Sequence, residues 1–208
     1  HGTGGADRPG KDLRVRKAIA YALDPEVIDQ RSTDGTGIPS SALVTEASGL
    51  WSEGLEGPPF DPDEARTLLA AAKADGYDGR ITLSCNNAQA KVDWSIVVEA
   101  MLESVGFDVT LDTGRDITDF VVGVFYPGDY DIACFPLSMY ESSPWASLQA
   151  VALGQDPVTQ ARVGYKSEAM ARAMTELRAA GSIDERREAI AAIQQVWNAE
   201  VPSAITGH

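Results

Sequence analysis

Hydrophobic positions recur at helical spacing near both ends of the chain and alternate in strand-like fashion through its middle. Leu13, Val15, Ile19 and Ala22 fall on one face of a helix that Asp12 is placed to cap. Asp24-Pro25 restarts a second short helix, with proline at a position that needs no N–H. From residue 31 to 59 the pattern dissolves into Gly, Ser and Pro with scattered apolar residues. A long irregular excursion with at most short strands is expected there. Order returns at Asp61, which reads as a helix cap, followed by Pro62 and then Glu64 three residues after the cap. Ala65, Leu68, Leu69 and Ala72 make the apolar stripe, and Gly76 ends it.

A strand–helix alternation follows. Residues 81–85 read as a strand. Asp93 is the expected cap of a helix with Trp94, Val97, Val98, Met101, Leu102 and Val105 on one face, ended by Gly106. Phe107, Val109 and Leu111 alternate as a second strand, Ile117, Phe120, Val121 and Val124 suggest another helix, and residues 130–135 form a third strand. Two right-handed crossovers would join the three strands in parallel. The closing third reads as helical over 167–180 and 184–200, stopped by Val201-Pro202. The expected fold class is α/β, a small mostly parallel sheet flanked by helices with a C-terminal helical segment. Residues 1–11 read as a disordered lead-in or tag remnant, and 12–208 as a single lobe.

Composition narrows the function. At 208 residues and 44% hydrophobic content the chain can fill one core or two small ones. A net charge of −14 argues against nucleic acid or anionic lipid as a partner. No apolar run reaches the ~20 residues of a membrane helix. Cys85 and Cys134 both end predicted strands; two buried free thiols are expected, with a single bridge as the alternative, because geometry decides pairing. The histidines are His1 and His208, at the two ends of the sequence, so no internal imidazole is offered to a catalytic triad or a zinc site. Phosphate-loop and nucleophile-elbow motifs are absent. Carboxylates are abundant, but Asp61, Asp63, Glu64, Asp184, Glu185 and Glu188 fall at caps or exposed helix faces. A hydrolase using paired carboxylates is a remote alternative, and the chain is not expected to be an enzyme or to carry a cofactor or metal.

Several segments, in order, resemble family 5 extracellular solute-binding proteins of ABC importers. DLRVRKAIAYALDPEVID (12–29) is similar to the family's "RxRxAIxYAID" segment, and GTGIPS (35–40) to its Gly-x-Pro loop. FDPDEARTLLAAAKADG (60–76) looks like its "YDPxxAkxLLxeAG" helix. GFDVTLD (106–112) and YDIA (130–133) match two of its strands, and GYKSEAMARAM (164–174) with DERREAIAAIQQVWNAEVPSA (184–204) its closing helices. The resemblance implies a periplasmic-binding-protein-like lobe, the second of a two-lobed receptor, cut from a longer exported and lipid-anchored parent on the extracellular face of the membrane or in the periplasm. It implies a small solute (peptide, modified peptide, glycan or chelate), ABC permease subunits and a missing second lobe as partners. A sensor or chaperone of the same fold is the alternative.

Ligands of open α/β sheets bind beyond the carboxyl ends of the strands. That rule selects the loops 86–90, 113–116 and 136–145. Ser138, Met139, Tyr140, Glu141 and Trp145 combine apolar walls with a few polar groups, Asn86 and Asn87 follow the first strand, and Arg115 could clamp a carboxylate. In peptide-binding members an arginine and, six residues later, an amine-pairing aspartate follow the "yDi" strand. Here those positions hold Cys134 and Tyr140, with Glu141 next to the latter. With that position changed and Glu141 as the alternative amine partner, the resemblance implies a modified peptide, glycan or other metabolite at least as readily as a plain di- or oligopeptide.

Overall fold

In the computed structural model, which describes residues 8–128, 130–153 and 165–208, the sheet consists of β1 (Arg80–Asn86), β2 (Asp108–Arg115) and β3 (Ile132–Ala133). The order is β2-β1-β3 and both pairings are parallel. β1 and β2 run in register from Arg80↔Asp108 to Ser84↔Asp112, slip, and meet again at Asn86↔Arg115. The helices are α1 (Leu13–Ala22), α2 (Pro25–Ser32), α3 (Pro62–Ala74), α4 (Gln89–Ser104), α5 (Ile117–Phe120), α6 (Pro144–Ala152), α7 (Glu168–Ala179) and α8 (Ile183–Glu200).

Local chemistry sets most of these boundaries. Asp12 accepts from Arg14 N, Asp24 from Glu26 N and Val27 N, Asp61 from Glu64 N, and Ser167 from Met170 N. α8 opens with a reciprocal Ser182–Glu185 capping box. Gly106 ends α4 at φ +105°, a conformation open to glycine and strained for other residues.

Two large apolar cores result, together with a small cluster of Phe120, Val124, Phe125 and Tyr130. Val15, Ile19, Leu69, Leu83, Val98 and Leu102 fill the first, between the sheet and α1 to α4. Leu43, Leu50, Leu148, Met170, Ile190 and Trp197 fill the second, where α6, α7 and α8 enclose part of the 31–59 excursion. That excursion contains no helix after Ser32 and no strand. It is held from outside: Leu43 N donates to Gln194 Oε1 at 2.7 Å, Arg187 Nε to Gly49 O at 2.8 Å, and Asn198 Nδ2 to Glu56 O at 2.7 Å. Gly57 passes so close to Ser41 O that a β-carbon there would lie 1.9 Å from it. Backbone groups that cannot pair with one another are thus satisfied by α8 side chains.

Several expectations need correction. Cys85 and Cys134 are bonded to each other, with Cα atoms 5.2 Å apart, because β1 and the residue just past β3 are neighbours. Residues 1–7 lie outside the described ones, but Pro9–Lys11 form a 3-10 turn rather than a disordered lead-in. α4 begins at Gln89; Asp93 lies inside it and accepts from Gln89 Nε2 at 2.7 Å instead of capping. The third strand is only two residues long, since Asp131 Oδ2, not a strand carbonyl, accepts from Thr82 N at 2.9 Å. The helix from Ile117 changes to a wider π turn over Val121–Phe125. The 136–145 loop ends in a helix start, because Pro144 at the first turn of α6 has a φ already suited to it.

Candidate functional site

Past Ala133 the chain keeps one more ladder bond, from Cys134 N to Ser84 O at 3.0 Å. It then runs without regular structure until α6. This stretch exposes apolar surface: Phe135 is 49% exposed, Leu137 37% and Tyr140 63%. Its far end is closed by Tyr140 N donating to Ser147 Oγ at 2.9 Å and Ser143 N to Tyr140 O at 2.9 Å. The loop is therefore shaped by its own hydrogen bonds while its side chains stay open to contact.

Beside it lies a cleft of about 740 Å³, the size range of small-molecule sites. The loop supplies one wall. The others come from remote parts of the chain: Lys91 and Trp94 in the first turns of α4, Tyr130 ahead of β3, Val151 of α6, and the tail 202–208. The tail is fixed in place. Ile38 and His208 exchange two backbone bonds of 2.9 Å, Trp197 Nε1 donates to Ser203 O at 2.8 Å, and Trp94 Nε1 donates to Thr206 Oγ1 at 3.3 Å. Phe125 stacks on Tyr130 at 6.0 Å and on Phe135 at 4.4 Å, so the exposed phenyl at the cleft rests on a buried aromatic base. A second hollow of about 640 Å³ is formed within residues 38–59 alone, away from the strand ends.

The polar groups of the cleft are mainly donors. Tyr130 is 3% exposed, and burial pushes its phenol up to about 12, so it stays protonated across physiological pH. No atom among the described residues accepts from it. Lys91 is half-buried and its ammonium has no hydrogen-bond or ion-pair partner among them. Hydroxyls of Tyr126, Ser138, Tyr140, Ser147, Ser203 and Thr206 and the His208 ring line it too, and no described Asp or Glu does. Among the described residues no group of three or more His, Cys, Asp or Glu could hold a metal ion, and no helix is long and apolar enough to cross a membrane.

Of the residues singled out in the sequence, Ser138, Met139 and Tyr140 come together on the cleft wall. The other five lie outside it. Glu141 turns toward the excursion and accepts from Ser48 Oγ and Gly49 N, both at 2.7 Å, which holds its carboxyl below the usual range. Trp145 is half-buried against the second core, with the Arg178 guanidinium 5.0 Å from its ring centroid. Asn86 Oδ1 accepts from Ala88 N at 3.0 Å, Asn87 N donates to Arg115 O at 2.7 Å, and the Arg115 guanidinium pairs with Asp112. Lys91, Trp94, Tyr130 and the tail were not singled out, and only the clustering of aromatics around 125–135 gave a signal for any of them.

Solved structures with this fold are numerous. A Brucella ovis protein named for ABC transporter peptide binding is 31% identical over 109 residues, 50% of this chain and 20% of its own length. The murein tripeptide binding protein MppA of Escherichia coli superposes with a TM-score of 0.79 at 18% identity, covering 98% of this chain and 40% of MppA. A substrate binding protein of Microbacterium hydrocarbonoxydans, solved with 4-hydroxybenzoate hydrazide, superposes at 0.70 with 22% identity, covering 95% and 40%. The chain thus spans a fifth of the curated relative and two fifths of these structures. Residues 5–157 match the family described as Bacterial extracellular solute-binding proteins, family 5 Middle. With that match across most of its length, and with the fold those structures share, the chain belongs to the family 5 bacterial extracellular solute-binding proteins.

Proposed function

We propose that residues 12–208 form one lobe of an exported receptor that captures a small solute and delivers it to an ABC permease. The observation that carries this reading is the cleft of about 740 Å³ at the carboxyl end of β3, with apolar walls and a few fixed donors. Ser138, Met139 and Tyr140 supply one wall, and a facing lobe supplies the other. Closure of the two about a hinge excludes water and creates the surface that docks on the permease. The receptor sits at the extracellular face of the membrane or in the periplasm, held by a lipid anchor. Glu141 and Trp145 act behind the wall, shaping the loop that carries Tyr140. Similarity to proteins named for peptides and for an aromatic hydrazide supports solute capture without choosing between these cargoes.

The test is thermal unfolding of the two-lobed receptor, this lobe together with the facing one, against peptides, N-blocked peptides, oligosaccharides and metal chelates. A solute at 100 times its dissociation constant stabilises by about 2.7 kcal/mol, a shift of a few degrees. A shift with one class that is reduced by Tyr140→Ala establishes the receptor reading. No shift with any class overturns it.

A further inference from the structure

The charge of the cleft departs from that of the molecule. The chain carries 31 Asp and Glu against 17 Lys and Arg, yet the described lining holds one lysine, one histidine (His208) and no Asp or Glu. Lys91 has no partner of its own among the described residues. Tyr130, buried and protonated, brings a hydroxyl that no described group accepts from. A buried donor without an acceptor is costly and uncommon in folded proteins, so this wall is arranged for an acceptor from outside. A bound ammonium would meet the opposite situation, leaving water for a wall whose described residues include no Asp or Glu to pair it.

Resting on the receptor reading above, we infer that this cleft takes solutes bearing an anionic group beside a flat apolar or aromatic body, with Lys91 and Tyr130 as donors to the anion. A carboxylate is the simplest such group. Phe135, supported by Phe125, and Tyr140 offer faces for the ring. A free α-amine contributes nothing to binding at this wall. The specificity is then set by what the cleft lacks as much as by what it holds.

Calorimetric titration of the protein with N-acetyl-Ala-Tyr, its C-terminal amide, and unblocked Ala-Tyr separates the contributions. The N-acetyl acid should bind about tenfold or more tighter than the amide, the range of a charge-assisted hydrogen bond. Lys91→Met should collapse the acid-to-amide ratio toward one, Lys91→Arg should keep most of it, and Tyr130→Phe should reduce it in part. Equal binding of acid and amide, or binding that acetylation of the amine abolishes, overturns the inference while leaving the receptor reading in place. Binding confined to an uncharged sugar or a cationic chelate in the wider panel does the same. Failure of every solute in that panel removes the receptor reading and this one together.

Discussion

Glu141 shows how a side chain one position from the cleft can serve it without lining it. Its carboxylate gathers the Ser48 hydroxyl and the Gly49 N–H, tying the irregular excursion to the turn that follows Tyr140. Donors aimed at a charged acceptor favour the ionised form, and the Ser48 hydroxyl is the larger cause of the lowered pKa. The sign of the pH dependence follows. A group whose folded pKa lies below its ordinary value of 4.5 contributes stability that is complete above that value and is lost as the pH falls through the folded pKa. Glu141→Gln removes the charge at every pH. Its thermal midpoint should therefore lie below the wild type's at neutral pH, by about a degree or two, and converge with it as acid neutralises the wild-type carboxyl. A gap that stays constant down to pH 3 would show that this ionisation does not hold the loop.

At the scale of elements, legibility tracked how local the determining chemistry is. α1, α2 and α3 start where Asp12, Asp24 and Asp61 placed them, because a cap and its N–H targets lie within three residues of each other. α4 was misjudged at its start, since Ala88 caps it with no side-chain bond and Asp93 imitates a cap one turn too late. The third strand shrank because pairing depends on the partner strand, and Asp131 diverts the Thr82 N–H. The Cys85–Cys134 bond is hidden in the sequence for the same reason: a separation of 49 says nothing about which strands are adjacent. The bond closes that loop across β1 and β3. In the chain-entropy account a closure of this length stabilises by about 4 kcal/mol. Cys85→Ala with Cys134→Ala should lower the urea midpoint accordingly. Reduction by dithiothreitol should match that loss in the wild type and have no effect on the double variant. An effect below about 1 kcal/mol would mean that the unfolded chain is already constrained there.

At the scale of the whole molecule, the fold was readable but the cleft was not. Its walls come from α4, the segment before β3, the 134–143 loop and the tail, and Lys91 has no local pattern to mark it. The same long-range assembly governs stability. The first core contains the sheet and the disulfide; the second depends on helices and an irregular segment. Arg16 spans the two. From α1 it donates to Gly10 O at 2.8 Å on one side and, on the other, to Glu200 O at 2.7 Å and Val201 O at 3.2 Å. Val201 has φ +45°, costly for a β-branched residue, and these bonds help hold it. The second core should open first, with the first still closed, giving two levels of hydrogen-exchange protection. Leu83→Ala, in the first core, should lower the higher level by about 2–5 kcal/mol and leave the α8 amides unchanged, because they exchange without opening it. Arg16→Met should lower both levels by the same amount, about 1–3 kcal/mol for each carbonyl left without a donor, since every opening that exposes α8 breaks those bonds. If α8 amides respond to Leu83→Ala as strongly as β1 amides do, the two cores unfold as one unit and Arg16 joins nothing separable.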